Sequence, residues 1–401
     1  MEHMNLIKSL SLKSDSKIVL IVMDGVGDLP DENGNSPLKI AKTPNLDNLS
    51  KKSALGLTHP ISIGVTPGSG PSHVALFGYD PLAYDIGRGV LEALGIDLEL
   101  TKNDLPARSN FATIENGIIT DRRAGRIPTE KNVEICKKLS ENIKKIDDVE
   151  IIIRPGKEHR FVVVFRGEGL NGPLNDADPQ QTGLKPVPVT PAKDDGKKAA
   201  VIANKFIEMV NQVLEKDKPA NTCLLRGMTK VPNIPSMSDI FNLNPAAIAT
   251  YPMYRGLARL VGMNVLKTGD TIESEFQTLK ENWKTFDFFY LHVKKTDSYG
   301  EDGNKDGKIH IIEETDQFIP NLLELKPDVI AITSDHSTPW SLQGHSWHPN
   351  PFLLYSKHER WTGSSEFNET ACQTGALGQF YSKDAMPLML ASALKLKKFG
   401  A

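Results

Sequence analysis

Three nearly continuous apolar runs, at residues 17–23, 286–293 and 328–334, interrupt an otherwise mixed pattern of apolar and polar positions. Apolar runs without alternation mark strands buried on both faces, as in a parallel sheet. An acid follows each run: Asp24 after the first, Asp297 shortly after the second, Asp335 after the third. Open α/β sheets bind ligands beyond the carboxyl ends of their strands, so these acids stand where a site is expected. Between the strands, helical spacing predicts a helix at 37–52 broken at Thr43-Pro44, a short one at 72–77 stopped by Gly78, one at 254–261, and one at 308–323 kinked at Pro320. Residues 246–248 add a short strand.

The middle of the chain has a different texture. Runs at 150–154 and 160–166 resemble a meander, residues 171–198 read as a long surface loop rich in Pro, Asp, Lys and Gly, and 197–215 carries an amphipathic helical period. The expected fold is α/β: a mostly parallel sheet flanked by helices, built from residues 1–105 and 241–401, with a smaller α+β domain inserted at 106–240.

Composition changes this picture little. The 401 residues are 39% hydrophobic and 24% charged, with a formal net charge of -3 that gives no electrostatic case for a nucleic-acid or membrane partner. Cys136, Cys223 and Cys372 are widely spaced and form no CxxC pair, which fits free thiols in a reducing compartment. No apolar run approaches the roughly 18 residues of a membrane span, and the polar N-terminus lacks a signal-peptide core. The expected location is the cytoplasm.

Candidate chemistry gathers around Thr66-Pro67-Gly68-Ser69-Gly70-Pro71-Ser72-His73, which suits a tight turn presenting one hydroxyl. Asp24, Asp297, Asp335, His336 and His345 supply oxygen and imidazole donors, a mixture suited to Mn²⁺ or Zn²⁺ better than to all-oxygen cations. Asp335 and His336, adjacent on one loop, can face two different ions, and a bound ion would activate Ser69 as a nucleophile for phosphoryl transfer. A second group is basic. Arg122, Arg123 and Arg126 fall in one short segment, Glu158-His159-Arg160 opens a strand, and Arg255 and Arg259 share a helical face. Guanidinium forks bind phosphate and carboxylate, so a small doubly anionic substrate is expected.

These segments together resemble the archaeal-type cofactor-independent phosphoglycerate mutases of the alkaline phosphatase superfamily. The matching stretches include Ile21-Val22-Met23-Asp24-Gly25-Val26-Gly27-Asp28, Ala41-Lys42-Thr43-Pro44-Asn45-Leu46-Asp47 and Pro67-Gly68-Ser69-Gly70-Pro71-Ser72-His73. They continue through Arg108-Ser109-Asn110-Phe111, Asp121-Arg122-Arg123-Ala124-Gly125-Arg126, Glu158-His159-Arg160 and Ser334-Asp335-His336-Ser337-Thr338-Pro339-Trp340. The resemblance implies an alkaline-phosphatase-like fold and interconversion of 3- and 2-phosphoglycerate through phosphorylated Ser69, with no 2,3-bisphosphoglycerate. It implies two divalent ions, Mn²⁺ favoured and Mg²⁺ or Zn²⁺ as alternatives. Asp24, Ser69, Asp335 and His336 would hold one ion; Asp297, His345 and the residue four after Asp297 would hold the other. Asp121 and Arg122 are implied as catalytic, and Arg108, Arg123, Arg126, His159, Arg160, Arg255 and Arg259 as substrate-binding. The partner implied is a small phosphoglycerate, with a monomer or small homo-oligomer expected. The same scaffold also carries phosphohydrolases and homoserine-kinase-like phosphotransferases, which is the competing reading.

Two positions depart from the family pattern. Glu301 stands where a histidine is usual, which would make the ligands harder, and Arg255 stands where a lysine is usual before Gly256.

Overall fold

The structure is a computed structural model that describes residues 2–84, 86–361 and 363–400. It divides into two compact units, residues 1–84 with 234–401, and residues 85–233. In chain order the strands are β1 (Ile18–Met23), β2 (Ser53–His59), β3 (Asp104–Glu115), β4 (Ile118–Asp121), β5 (Lys145–Ile146), β6 (Val149–Pro155) and β7 (Arg160–Arg166). They continue with β8 (Thr222–Arg226), β9 (Pro245–Ile248), β10 (Asn264–Val265), β11 (Phe288–Val293), β12 (Val329–Thr333), β13 (Asn350–Ser356) and β14 (Gly378–Tyr381).

The discontinuous unit is built on an eight-stranded sheet ordered β10-β9-β11-β1-β12-β13-β2-β14. β1 lies between β11 and β12 and is parallel to both. Every residue of these three strands is buried, as their unbroken apolar sequences require. One face of the sheet supplies Ile21, Leu291 and Ile332 to a core completed by helix residues such as Leu46, Phe276 and Ile312. Truncating one of these to alanine would cost about 2–5 kcal/mol. The register pairs Met23 with Val293 and Val22 with Thr333, so the three strands end at nearly one level. That alignment brings residues 24, 294 and 335 together. β13 runs antiparallel to β12 and β2, so the sheet is mostly rather than wholly parallel.

The helix predicted from residue 72 starts earlier, at Ser69, and runs to Leu76. Gly70 and Pro71 occupy its first turn, where a missing N–H costs nothing. The helix predicted at 308–323 is two helices, Lys305–Gln317 and Ile319–Glu324, parted just before Pro320. None of the helices among the described residues is long and apolar enough to cross a membrane.

The second unit is an antiparallel sheet ordered β4-β3-β7-β6-β5, with β8 also paired to β3. Helices Thr129–Asn142 and Lys197–Val213 cover one face, placing Ile135, Leu139, Phe206 and Val210 against Phe111, Phe161 and Phe165. On the other face Ala93 packs with Val162 and Val164. Ala93 belongs to the helix Arg88–Gly95, which lies so close to β3 that a Cβ on Gly89 would sit 2.2 Å from the Pro106 carbonyl oxygen. The helix therefore clusters with this unit, and the boundary expected at 105/106 falls inside β3. The 171–198 stretch is no free surface loop. Leu174, Ala177 and Val189 are buried, and the Ala177 N–H donates to the Leu225 carbonyl at 2.8 Å.

Candidate metal centre

Asp24 follows β1, Asp335 and His336 follow β12 after Ser334, and Ser69 opens its helix beside them. All but Ser69 are fully buried. His336 Nε2 lies 3.3 Å from Asp24 Oδ1, 3.2 Å from Asp335 Oδ2 and 3.1 Å from Ser69 Oγ. The ring's tautomer follows from its other nitrogen. Thr338 Oγ1 donates its one proton to Asp297 Oδ1 at 2.8 Å, so at 3.0 Å it can only accept from His336 Nδ1–H. Nε2 is then an unprotonated lone pair facing two carboxylate oxygens. Both oxygens, Asp24 Oδ1 and Asp335 Oδ2, are buried without a hydrogen-bond partner. Three electron pairs converging among buried side chains are repulsive unless a cation sits among them. The donor set thus fits a divalent ion, with a metal-ligating imidazole oriented by a hydrogen bond to its far nitrogen.

The electrostatics agree. Burial would raise the Asp24 carboxyl, but Lys294, His292 and His336 hold it well below its usual range. Burial and the neighbouring Asp24 push Asp335 up to about 6, with His73 opposing. Burial holds His336 well below the ordinary histidine range, so its neutral form prevails.

A second group adjoins the first. Asp297, His336 and His345 offer donor atoms that lie within 4.8 Å of one another. His345 Nδ1 lies 2.9 Å from the Pro67 carbonyl oxygen, to which it donates, leaving Nε2 free at 3.7 Å from Asp297 Oδ1. The His345 and His336 rings stack at 3.6 Å. Glu301 is one helical turn beyond Asp297 on the helix Lys295–Glu301, but it is exposed and stands outside this donor group. Its carboxyl still senses the group: burial and the neighbouring Asp297 raise it above its ordinary value, with Lys294 and His345 opposing. Backbone packing fixes the rest: Gly25 has φ +61°, and a Cβ there would meet Thr338 Oγ1 at 2.4 Å.

Several residues to which sequence patterns gave no role complete the centre. Tyr254 donates to Asp24 Oδ2, and His292, stacked on Tyr254 at 3.8 Å, puts Nε2 3.4 Å from the same oxygen. His73 Nδ1 lies 3.3 Å from Asp335 Oδ2 and 2.9 Å from the Ser69 carbonyl oxygen. Lys294 Nζ lies 3.0 Å from Asp24 Oδ2 and also bonds Asp297 Oδ2. His292 sits inside an otherwise apolar strand, where neither period nor motif marks it. Lys294 had a usable signal, since it is the first residue past β11.

The basic residues divide between the units. Arg255 and Arg259 are half-buried on the helix Pro252–Leu260 of the sheet unit. The second unit holds the others. His159, 2% exposed, is pushed down to about 4 by burial and then by the Arg160, Arg123 and Arg108 guanidiniums around it. Three guanidiniums thus gather around a histidine that stays neutral, with Glu158 beside His159 and Arg160, and Glu92 3.9 Å from Arg108. Arg122 is already committed, gripping Asp178 with two 2.8 Å bonds and Gln180 with one of 3.0 Å. Asp121 accepts from the Arg123 and Gly125 backbone N–H groups at 2.7 and 2.6 Å and so braces the turn. Arg126 is exposed with φ +52°.

Comparison with known proteins identifies the lineage. Residues 50–221 match the family profile described as 2,3-bisphosphoglycerate-independent phosphoglycerate mutase. A Thermosipho africanus protein named a probable 2,3-bisphosphoglycerate-independent phosphoglycerate mutase is 55% identical over 401 residues, 100% of both chains. A solved protein from Pyrococcus horikoshii superposes with TM-score 0.83 at 31% identity, over 96% of this chain and 99% of that one. The cofactor-independent phosphoglycerate mutase from Thermoplasma acidophilum gives TM-score 0.74 at 30% identity, over 94% and 100%. The chain belongs to the 2,3-bisphosphoglycerate-independent phosphoglycerate mutases, divalent-metal-binding isomerases of glycolysis and gluconeogenesis that interconvert 3-phosphoglycerate and 2-phosphoglycerate.

Proposed function

We propose that Ser69 is the phosphoryl carrier of this mutase. The observation that supports it is the convergence of Ser69 Oγ with the His336 Nε2 lone pair and the partnerless oxygens of Asp24 and Asp335. These four residues would hold one divalent ion, and Asp297 and His345 a second, joined by Glu301 once its side chain turns inward. Mn²⁺ suits the mixed nitrogen and oxygen donors best, with Mg²⁺ and Zn²⁺ as alternatives. When bound, the ions neutralise charge on the transferring phosphoryl group and lower the pKa of the serine hydroxyl.

Ser69 Oγ attacks the phosphorus of 3-phosphoglycerate; the bond to the substrate's 3-oxygen breaks, and that oxygen takes up the proton lost from the serine. The glycerate 2-hydroxyl then attacks phosphoserine, giving its proton back to Ser69 as it leaves. Because Ser69 opens a helix, the first-turn N–H groups favour an anion on its side chain. Arg108, Arg123, Arg126, Arg160, His159, Arg255 and Arg259 recognise phosphate and carboxylate, with Asp121 and Arg122 ordering the turn that carries Arg123 and Arg126. The reading includes a cytoplasmic enzyme, monomeric or a small homo-oligomer, acting without nucleic-acid or membrane partners.

Mutase assay of purified protein with Mn²⁺ tests the reading. Equilibration of 3- and 2-phosphoglycerate without added 2,3-bisphosphoglycerate is expected, and Ser69→Ala should lose at least about 10³-fold while melting normally. Inorganic phosphate as the main product, or turnover by Ser69→Ala, defeats it.

A further inference from the structure

The two donor groups are not equally open to a metal. In the first, Asp24 Oδ1 and Asp335 Oδ2 are buried without a hydrogen-bond partner, with His73 Nδ1 3.3 Å from the latter. In the second, both oxygens of Asp297 are taken, Oδ1 by the Thr338 hydroxyl and Oδ2 by the Lys294 ammonium. The same ammonium lies 3.0 Å from Asp24 Oδ2, so it ties the two groups together. Its setting is enclosed: the Lys294 side chain is 21% exposed and its Nζ lies 5.7 Å from the centre of the Tyr254 ring. The carboxylate at 301 that could compensate stands outside the donor atoms that converge beside Asp297.

We propose that Lys294 is a built-in cation that competes with the second metal for Asp297, and thereby separates the two sites into a tight one and a weak one. The inference rests on the metal reading above. An ammonium carries one positive charge that a divalent ion at Asp297 must displace or tolerate at close range. The same charge offsets Asp24 and Asp297 when metal is absent, so it stabilises the metal-free fold at the expense of affinity. One side chain thus sets two quantities with opposite sign, which a purely structural lysine would not do.

The test uses the metal-stripped full-length protein, titrated with Mn²⁺ by calorimetry, and its thermal melting without metal. Wild type should show two classes of site. In Lys294→Met the weaker class should tighten by at least about tenfold, while the metal-free protein melts several degrees lower and Mn²⁺ restores it. If Lys294→Met proves unfolded without metal but folds on adding Mn²⁺, the proposal is supported. Lys294→Arg, which keeps the charge, should retain the wild-type order of affinities. Two equally tight ions in wild type, or unchanged affinities and melting in Lys294→Met, overturn the proposal and leave the metal reading intact. No Mn²⁺ uptake by wild type overturns both.

Discussion

One hydroxyl, that of Thr338, fixes the protonation pattern of the centre by donating to Asp297 and accepting from His336. Thr338→Val preserves shape but removes both bonds. The tighter class of manganese site, which loses the bond orienting His336, should weaken about 10–100-fold by calorimetry, with the fold retained by circular dichroism. Glu301→Ala tests the remaining candidate ligand: the weaker ion should loosen, whereas unchanged titration removes Glu301 from the ligand set. At this scale the sequence was legible where chemistry coincides with an element's end. Asp24 and Asp335 stand out because uninterrupted apolar runs stop at them. Tyr254 and His292 do not, because their partner, Asp24, lies 230 or more positions away and only the sheet brings them to it.

Among the elements, the helix Lys305–Gln317 braces the loop that follows β1. Its Lys308, fully buried, bonds Asp28 Oδ2 at 2.6 Å and the Thr338 carbonyl at 2.9 Å. Lys308→Met leaves Asp28 buried and uncompensated, and should cost about 3–5 kcal/mol in chemical denaturation. The helix Ile272–Asn282 carries a different burden. Glu275, 4% exposed, is pushed up to about 8 by burial and by the nearby Glu314. The folded state keeps this proton while the unfolded chain releases it above the ordinary value of 4.5. Its contribution is therefore intact below that value and is lost as pH climbs toward 8. Glu275→Gln should raise stability at pH 8 by about 2–4 kcal/mol and leave it nearly unchanged at pH 4. Helix breaks at Pro44 and Pro320 were readable because proline acts locally. The antiparallel direction of β13 was not, since direction is set by what a strand pairs with.

For the whole molecule, the fold class and the existence of an inserted unit could be read from the change in apolar texture, but its boundaries could not: the second, expected at 240/241, falls inside the helix Met237–Phe241, and the unit ends at 233. The helix Arg88–Gly95 belongs with β3 through contacts at Gly89 and Ala93 that no local pattern announces. Residues 85–233 have their own core of aromatic and aliphatic side chains, so this segment expressed alone should unfold cooperatively in urea. A gradual, non-sigmoidal loss of circular dichroism would contradict its independence. The central position of β1 also has a kinetic consequence. Both its partners, β11 and β12, are synthesised late, beginning at residue 288. At about 5–20 residues per second, β1 waits roughly 15–50 s on the ribosome before either neighbour exists. During that interval the inserted unit can complete its own fold, whereas Asp24 cannot meet Asp335. A chain stalled before residue 335 therefore lacks the Asp24–Asp335 pair altogether: the enzyme is silent until most of its length has been made.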